Sequence, residues 1–220
     1  MPSAGARRAA KSAGDFAARE LMTPPLRIAV ADGEPDMCDY YRKVVPLLGH
    51  EVIAVATTGR ELIDQCRAAR PDLVITDIKM PDTDGLDAAG AIYRETPVPV
   101  VIVSASCDGG LIERALEGPV LAYLIKPIEQ ADLAPAIALA ARRFREFQAL
   151  RQEAADLRQA LEDRKVIERA KGVLMRERGL DEPEAFRRLQ KLARDNHRKM
   201  VEIARMILIT AEALEAPETD

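Results

Sequence analysis

Soft metal ligands are scarce in this sequence. Cys38, Cys66 and Cys107 are its only cysteines, and His50 and His197 its only histidines. Their spacing matches no zinc motif, which argues against a structural or catalytic zinc site. Three scattered thiols fit a reducing cytoplasm, where their plainest role is to fill the core. No apolar run approaches the ~20 residues of a membrane span, so no membrane partner is expected. Net positive charge is also lacking. The formal charge is -4, which gives no reason to assign the whole chain to nucleic acid, although such a sum can conceal a basic segment. The opening "MPSAGARRAAKSAG" lacks the apolar centre of a secretory signal. Residues 1–25 and 214–220 are expected to be disordered tails, with an organelle transit peptide as the weaker reading of the first and Met22 as a candidate start.

The remainder is of ordinary globular composition. Of 220 residues, 48% are hydrophobic and 31% charged, enough for one large or two small domains. Five short apolar runs follow Leu26: "LRIAVA", "EVIAVA", "LVIT", "VPVVIV" and "VLAYLI". They are unbroken, as in parallel strands covered on both faces. Stretches of helical spacing separate them, such as Met37, Tyr41, Val44 and Leu48. Strand and helix alternating five times predict a doubly wound α/β sheet over residues 26–145.

In such a sheet the functional crevice lies beyond the carboxyl ends of the strands. Asp32 stands at the end of the first run, Asp77 after the third, Ser104 at the end of the fourth and Lys126 after the fifth. Any one of them alone would pass for a strand-end cap or a solvated loop charge. Together they bring two acids, a hydroxyl and an amine to one rim from distant segments.

These residues, with Met80-Pro81, Gly85, Ala105, Tyr123 and Pro127, resemble the receiver domain of bacterial two-component response regulators. The resemblance implies a flavodoxin-like sheet of strand order 2-1-3-4-5. It also implies Asp77 as the phosphoacceptor, served by a sensor histidine kinase. Asp32, Asp77 and the Lys79 backbone carbonyl would hold Mg²⁺, Lys126 and Ser104 would stabilise the phosphoryl group, and Tyr123 would move with Ser104 as the switch. One position departs from the pattern: where the family has a second acid after the first strand, this chain has Gly33. Weakened Mg²⁺ binding is expected, with Glu34 either reaching in as a substitute or facing solvent.

Beyond Lys126 the sequence turns helical. Leu133, Ile137, Ala140, Phe144 and Phe147 step by four and three, and Leu150, Ala154, Leu157 and Leu161 do so again after a three-residue slip. This predicts a long helix over 130–163, with a coiled-coil seam that pairs two copies or, alternatively, folds back on its own domain. Three shorter helices are then predicted: one over about 161–178, a second from Asp181 with Glu184 completing a capping box, and a third from about Arg198.

"RAKGVLMRERGLDEPEAFRRLQKLARDN" resembles the ANTAR domain, an RNA-binding module of transcription antiterminators, over about residues 158–213. Basic residues outnumber acids in this stretch although the chain is acidic, a pattern that fits phosphate binding. Lys171, Arg188, Lys191 and Asn196 are the candidate RNA contacts. Phe186 is the only aromatic residue of the segment and is assigned to the core, so stacking on bases is expected to be largely unavailable. The combined expectation is a cytoplasmic response regulator that, when phosphorylated on Asp77, dimerises and binds RNA hairpins to cause antitermination. The rival classes are a DNA-binding regulator, for which no convincing helix-turn-helix is visible, and a phosphorylation-independent protein-docking module. No nucleophile–base pair for turnover on an outside substrate is found, so the chain is not read as an enzyme.

Overall fold

The structure, a computed structural model, describes residues 24–106 and 108–215. The expectations for residues 1–23 with Met22, for Cys107 and for residues 216–220 lie outside the described residues. The chain divides into two compact units between Gln148 and Ala149, and each is described by itself.

The first unit alternates strand and helix as the apolar runs require: β1 Arg27–Ala31, α1 Pro35–Leu47, β2 Glu51–Ala56, α2 Gly59–Ala69, β3 Leu73–Thr76, α3 Gly85–Glu95, β4 Val100–Ser104, α4 Gly109–Glu117, β5 Val120–Ile125 and the start of α5, Gln130–Arg178. All strand pairs are parallel, in the order β2-β1-β3-β4-β5. The expected strand order and fold class are therefore those observed.

Successive residues of the strands point to opposite faces, and each face has its own core. Ala29, Ala31, Val74, Val100 and Ile102 meet Leu62 and Cys66 of α2 and Leu86, Ala89 and Ile92 of α3. On the other face Ile28, Val30, Leu73, Ile75, Val101 and Val103 meet Tyr41, Val44 and Val45 of α1 and Leu133, Ile137 and Ala140 of α5. Burial on both faces explains why β3 and β4 are unbroken apolar runs rather than alternating ones. Side-chain caps start the helices where the sheet's carboxyl edge hands over to them. Thr58 accepts from Glu61 N–H, Asp84 from Asp87 N–H and Asp108 from Gly110 N–H.

The long helix departs from expectation in two ways. It does not end near 163 and restart at 161; it is continuous over Gln130–Arg178, a span of about 70 Å at the α-helical rise. Neither Gly nor Pro occurs between Ala136 and Lys171, so nothing in the backbone interrupts it. The helix stops at Gly179, whose φ of 64° turns the chain into the left-handed region. Its apolar stripe is also divided. Leu133, Ile137 and Ala140 are core residues of the chain's own sheet, whereas Leu150, Leu157 and Leu161 are exposed. The fold-back reading holds for the start of the stripe, and the later part lies uncovered.

The second unit joins the later turns of α5 to α6 Glu182–Asp195 and α7 Met200–Glu215. Ala170, Leu189, Ala193, Ile203 and Ala204 form its core, with Val166, Ile167, Leu174 and Leu192 packed around them. The capping box at Asp181 and Glu184 forms as expected, with each side chain accepting from the other's backbone N–H. Phe186 corrects the reading: it is 40% exposed and not part of the core. Ala185 and Leu189 take the inward positions beside it.

Ile137→Ala empties a fully buried position between α5 and the sheet. It is expected to cost about 2–5 kcal/mol of stability in urea denaturation of the full chain.

Candidate functional site

At the carboxyl edge of the sheet, the ends of β1, β3, β4 and β5 bring four side chains together. Asp32 is 0% exposed and Asp77 6% exposed. The Lys126 ammonium donates to Asp32 Oδ1 at 3.0 Å, to Asp77 Oδ2 at 3.1 Å and to Glu34 Oε1 at 3.2 Å. It also lies 2.9 Å from Asp32 Oδ2, but that buried oxygen accepts no hydrogen bond. Ser104 is buried at the same edge, where its carbonyl accepts from Lys126 N–H at 2.9 Å and its Oγ from Ser106 N–H at 3.3 Å. The half-buried Tyr123 donates its hydroxyl proton to the Ser106 carbonyl at 2.6 Å.

Backbone geometry fixes the acceptor oxygens. Asp77 Oδ1 accepts from the N–H of Ile78 at 2.6 Å and of Lys79 at 3.4 Å, which leaves Oδ2 to Lys126. The loop then folds back so that Gly85 N–H reaches the Ile78 carbonyl at 2.8 Å. A β-carbon at residue 85 would collide with the Asp77 carbonyl, so only glycine allows the chain to pass there.

The electrostatics follow from burial. Loss of hydration lifts the Asp32 carboxyl above its usual range, against the pull of the Lys126 ammonium and the Glu34 N–H. Burial alone would lower the Lys126 pKa, but hydrogen bonds and attraction from Asp32 and Asp77 outweigh it and raise it. Three carboxylates against one ammonium leave excess negative charge. Carboxylate oxygens of Asp32, Glu34 and Asp77 all lie within 4.8 Å of one another. This oxygen-only set, with one buried lone oxygen on Asp32, fits a hard divalent cation such as Mg²⁺. The Glu34 carboxylate stands within reach of the cluster although its side chain is largely exposed. Gly33 supplies no ligand, and a β-carbon built there would stand 3.2 Å from the Lys79 carbonyl oxygen. The cleft beside Asp77, of about 660 Å³, is lined by Gly33, Glu34, Met80, Leu111 and Arg114. Arg114 lies on α4 and is held by Asp84 at 2.8 Å and Asp87 at 3.1 Å; no sequence pattern singled it out.

In the second unit the four candidate contacts separate. Arg188 and Lys191 are exposed on α6. Asn196 is exposed at the C-terminus of that helix, where its amide donates to the Leu192 carbonyl at 2.8 Å. Lys171 is only 6% exposed, and its ammonium is 2.8 Å from Glu168 and 2.7 Å from Glu182. So held, it ties α5 to the start of α6 and is not presented to a phosphate, which corrects its assignment as a contact. Among the described residues, no helix is long and apolar enough to cross a membrane.

Family comparisons agree with this geometry. The response regulator receiver domain matches residues 28–138, and the ANTAR domain matches residues 155–208. The chain belongs to the response regulators that carry a receiver domain followed by an ANTAR domain. It is 40% identical over 190 residues to the transcriptional regulatory protein PdtaR of Mycobacterium tuberculosis, a match covering 84% of this chain and 91% of that protein. Among solved structures, a response regulator receiver domain protein of Clostridium thermocellum is similar at 29% identity and a TM-score of 0.51, covering 55% of this chain and 98% of its own. The CheX–CheY–BeF3–Mg²⁺ complex of Borrelia burgdorferi shares the fold at 20% identity and a TM-score of 0.50, covering 52% of this chain and 87% of that one.

Two measurements probe the site. Gly33→Asp adds a carboxylate beside the cluster and is expected to tighten Mg²⁺ binding by about tenfold or more in calorimetric titration; the tight approach to the Lys79 carbonyl requires a shift of a few tenths of an ångström. Asp32→Asn is expected to stabilise the fold at neutral pH without Mg²⁺. The folded Asp32 carboxyl has a raised pKa, so its ionisation is easier in the unfolded chain, and stability is lost as pH rises from the unfolded value through the folded one. Thermal melts across that window should show the variant's advantage growing with pH.

Proposed function

We propose that Asp77 accepts a phosphoryl group from a sensor histidine kinase and that the C-terminal unit binds RNA hairpins in a nascent transcript. Pairing of two chains through the exposed stripe of α5 sets two output units on tandem hairpins, which prevents a terminator from forming. The observation that carries the first half is the meeting of Asp32, Asp77, Ser104 and Lys126 at one sheet edge. The ANTAR match and the exposed cations of α6 support the second half.

In the transfer, Asp77 Oδ2 attacks phosphorus as the bond to the kinase's imidazole nitrogen breaks, leaving an acyl phosphate on Asp77. The hydrogen bonds to Oδ1 hold the carboxylate so that Oδ2 faces the incoming group. Lys126, a compact ammonium already on Oδ2, neutralises charge on the phosphoryl oxygens. Ser104 Oγ is the hydroxyl donor to one of them, and its movement draws Tyr123 away from the Ser106 carbonyl. Mg²⁺, when bound by Asp32, Asp77 and the Lys79 carbonyl with Glu34 nearby, supplies the divalent charge that phosphoryl transfer needs.

Gly33 favours one second reading, in which the chain signals without phosphate because its cation site lacks a ligand. Binding of a hairpin from a regulated leader, measured with and without a small-molecule phosphodonor and Mg²⁺, separates the two. The phosphodonor is expected to raise affinity for the parent chain and to leave Asp77→Asn unchanged. Equal binding by both proteins under all conditions removes the phosphate switch while leaving RNA binding intact.

A further inference from the structure

Unit two carries many cations, and several are already engaged. Lys165 pairs with Glu162, Arg169 with Glu212, Arg205 with Asp163, and Lys171 with both Glu168 and Glu182. Helix α6 gathers cations that are not engaged. Among the described residues, Arg187, Lys191 and Arg194 enter no ion pair, and all three are exposed. The acids at its start are occupied elsewhere: Glu184 closes the capping box with Asp181, and Glu182 holds Lys171. Helical periodicity places Arg187, Lys191 and Arg194 on one narrow arc, opposite the face that buries Ala185, Leu189 and Ala193. Phe186 borders the buried face on the side toward Arg194, with Gln190 one turn further on between the two. Phe186 is the one Phe, Tyr or Trp between residues 158 and 213, and it is 40% exposed.

We infer that Phe186 is a stacking platform for an unpaired RNA base, beside a phosphate-binding stripe formed by Arg187, Lys191 and Arg194. The inference rests on the RNA-binding reading above and specifies what that surface recognises. A half-exposed ring next to free cations pairs the two components by which proteins hold single-stranded nucleic acid: an aromatic face for the base and positive charge for the backbone. A duplex alone would use the stripe and leave the ring idle, because its bases are already stacked. The target is therefore a loop or bulge base splayed from a hairpin, with the Gln190 amide one turn away to meet a base edge. Phosphates attract paired and unpaired strands alike, so Phe186 adds a preference for an unpaired base to a stripe that has none.

The test uses the full chain and synthetic hairpins in which each loop position in turn is abasic, together with a loopless duplex of the same stem. Phe186→Leu keeps the ring's apolar contacts, and circular dichroism checks that the fold is retained. The variant is expected to bind the intact hairpin roughly 5- to 150-fold more weakly than the parent, the range that one base–aromatic stack corresponds to, and to bind the loopless duplex equally well. Phe186→Trp is expected to retain hairpin affinity. One abasic position should weaken the parent by the same factor and have no further effect on Phe186→Leu, as coupling between ring and base requires. Equal losses on hairpin and duplex, or undiminished loop discrimination by Phe186→Leu, overturn the stacking assignment while RNA binding stands. Unchanged RNA affinity with an altered sedimentation coefficient assigns the ring to a second copy of the chain and also overturns it. Failure of the parent to bind either RNA overturns both readings.

Discussion

Lys126 is the contact on which the sheet edge depends. Its ammonium meets carboxylates from the ends of two strands and from the loop that follows the first. Without that cation, Asp32 and Asp77 would be like charges, almost wholly out of water and close together. Such an arrangement is tolerated only when a cation stands between them or one of them is protonated. The position of β5 in the sheet matters here because it delivers Lys126. The backbone link from Lys126 N–H to the Ser104 carbonyl at 2.9 Å sets β5 against β4 at the place where the charge is required.

The first unit was largely legible in the sequence because its signals are local. Apolar runs bounded by Gly, Pro and Asp mark strands independently of their partners, and polar residues at the end of a buried run must face the rim. The sheet edge then gathers Asp32, Asp77, Ser104 and Lys126 as a consequence of topology. The strand order itself came with the family resemblance, since parallel runs of similar composition carry no label for their neighbours.

What residue spacing left open or misplaced in the helical half shares a physical origin. Whether the α5 stripe needs another copy depends on what covers it, and spacing cannot distinguish Leu133, sealed against the sheet, from Leu157, which is 61% exposed. Phe186 lies within an amphipathic pattern whose inward arc is narrow, so one residue of rotation separates core from surface. Lys171 looked like one more cation in a basic stretch. Its partners Glu168 and Glu182 come from two helices, and their convergence exists only after α6 has docked.

That docking gives Lys171 a second property. Its hydrogen bonds to Glu168 and Glu182 raise its pKa, and the surrounding helices cover its side chain. An amine kept protonated and shielded is a poor nucleophile, so acylating reagents will bypass it while they decorate exposed neighbours such as Lys191. Its reactivity is consequently a built-in gauge of how often α6 lifts from α5, a local opening that overall helix content would not register.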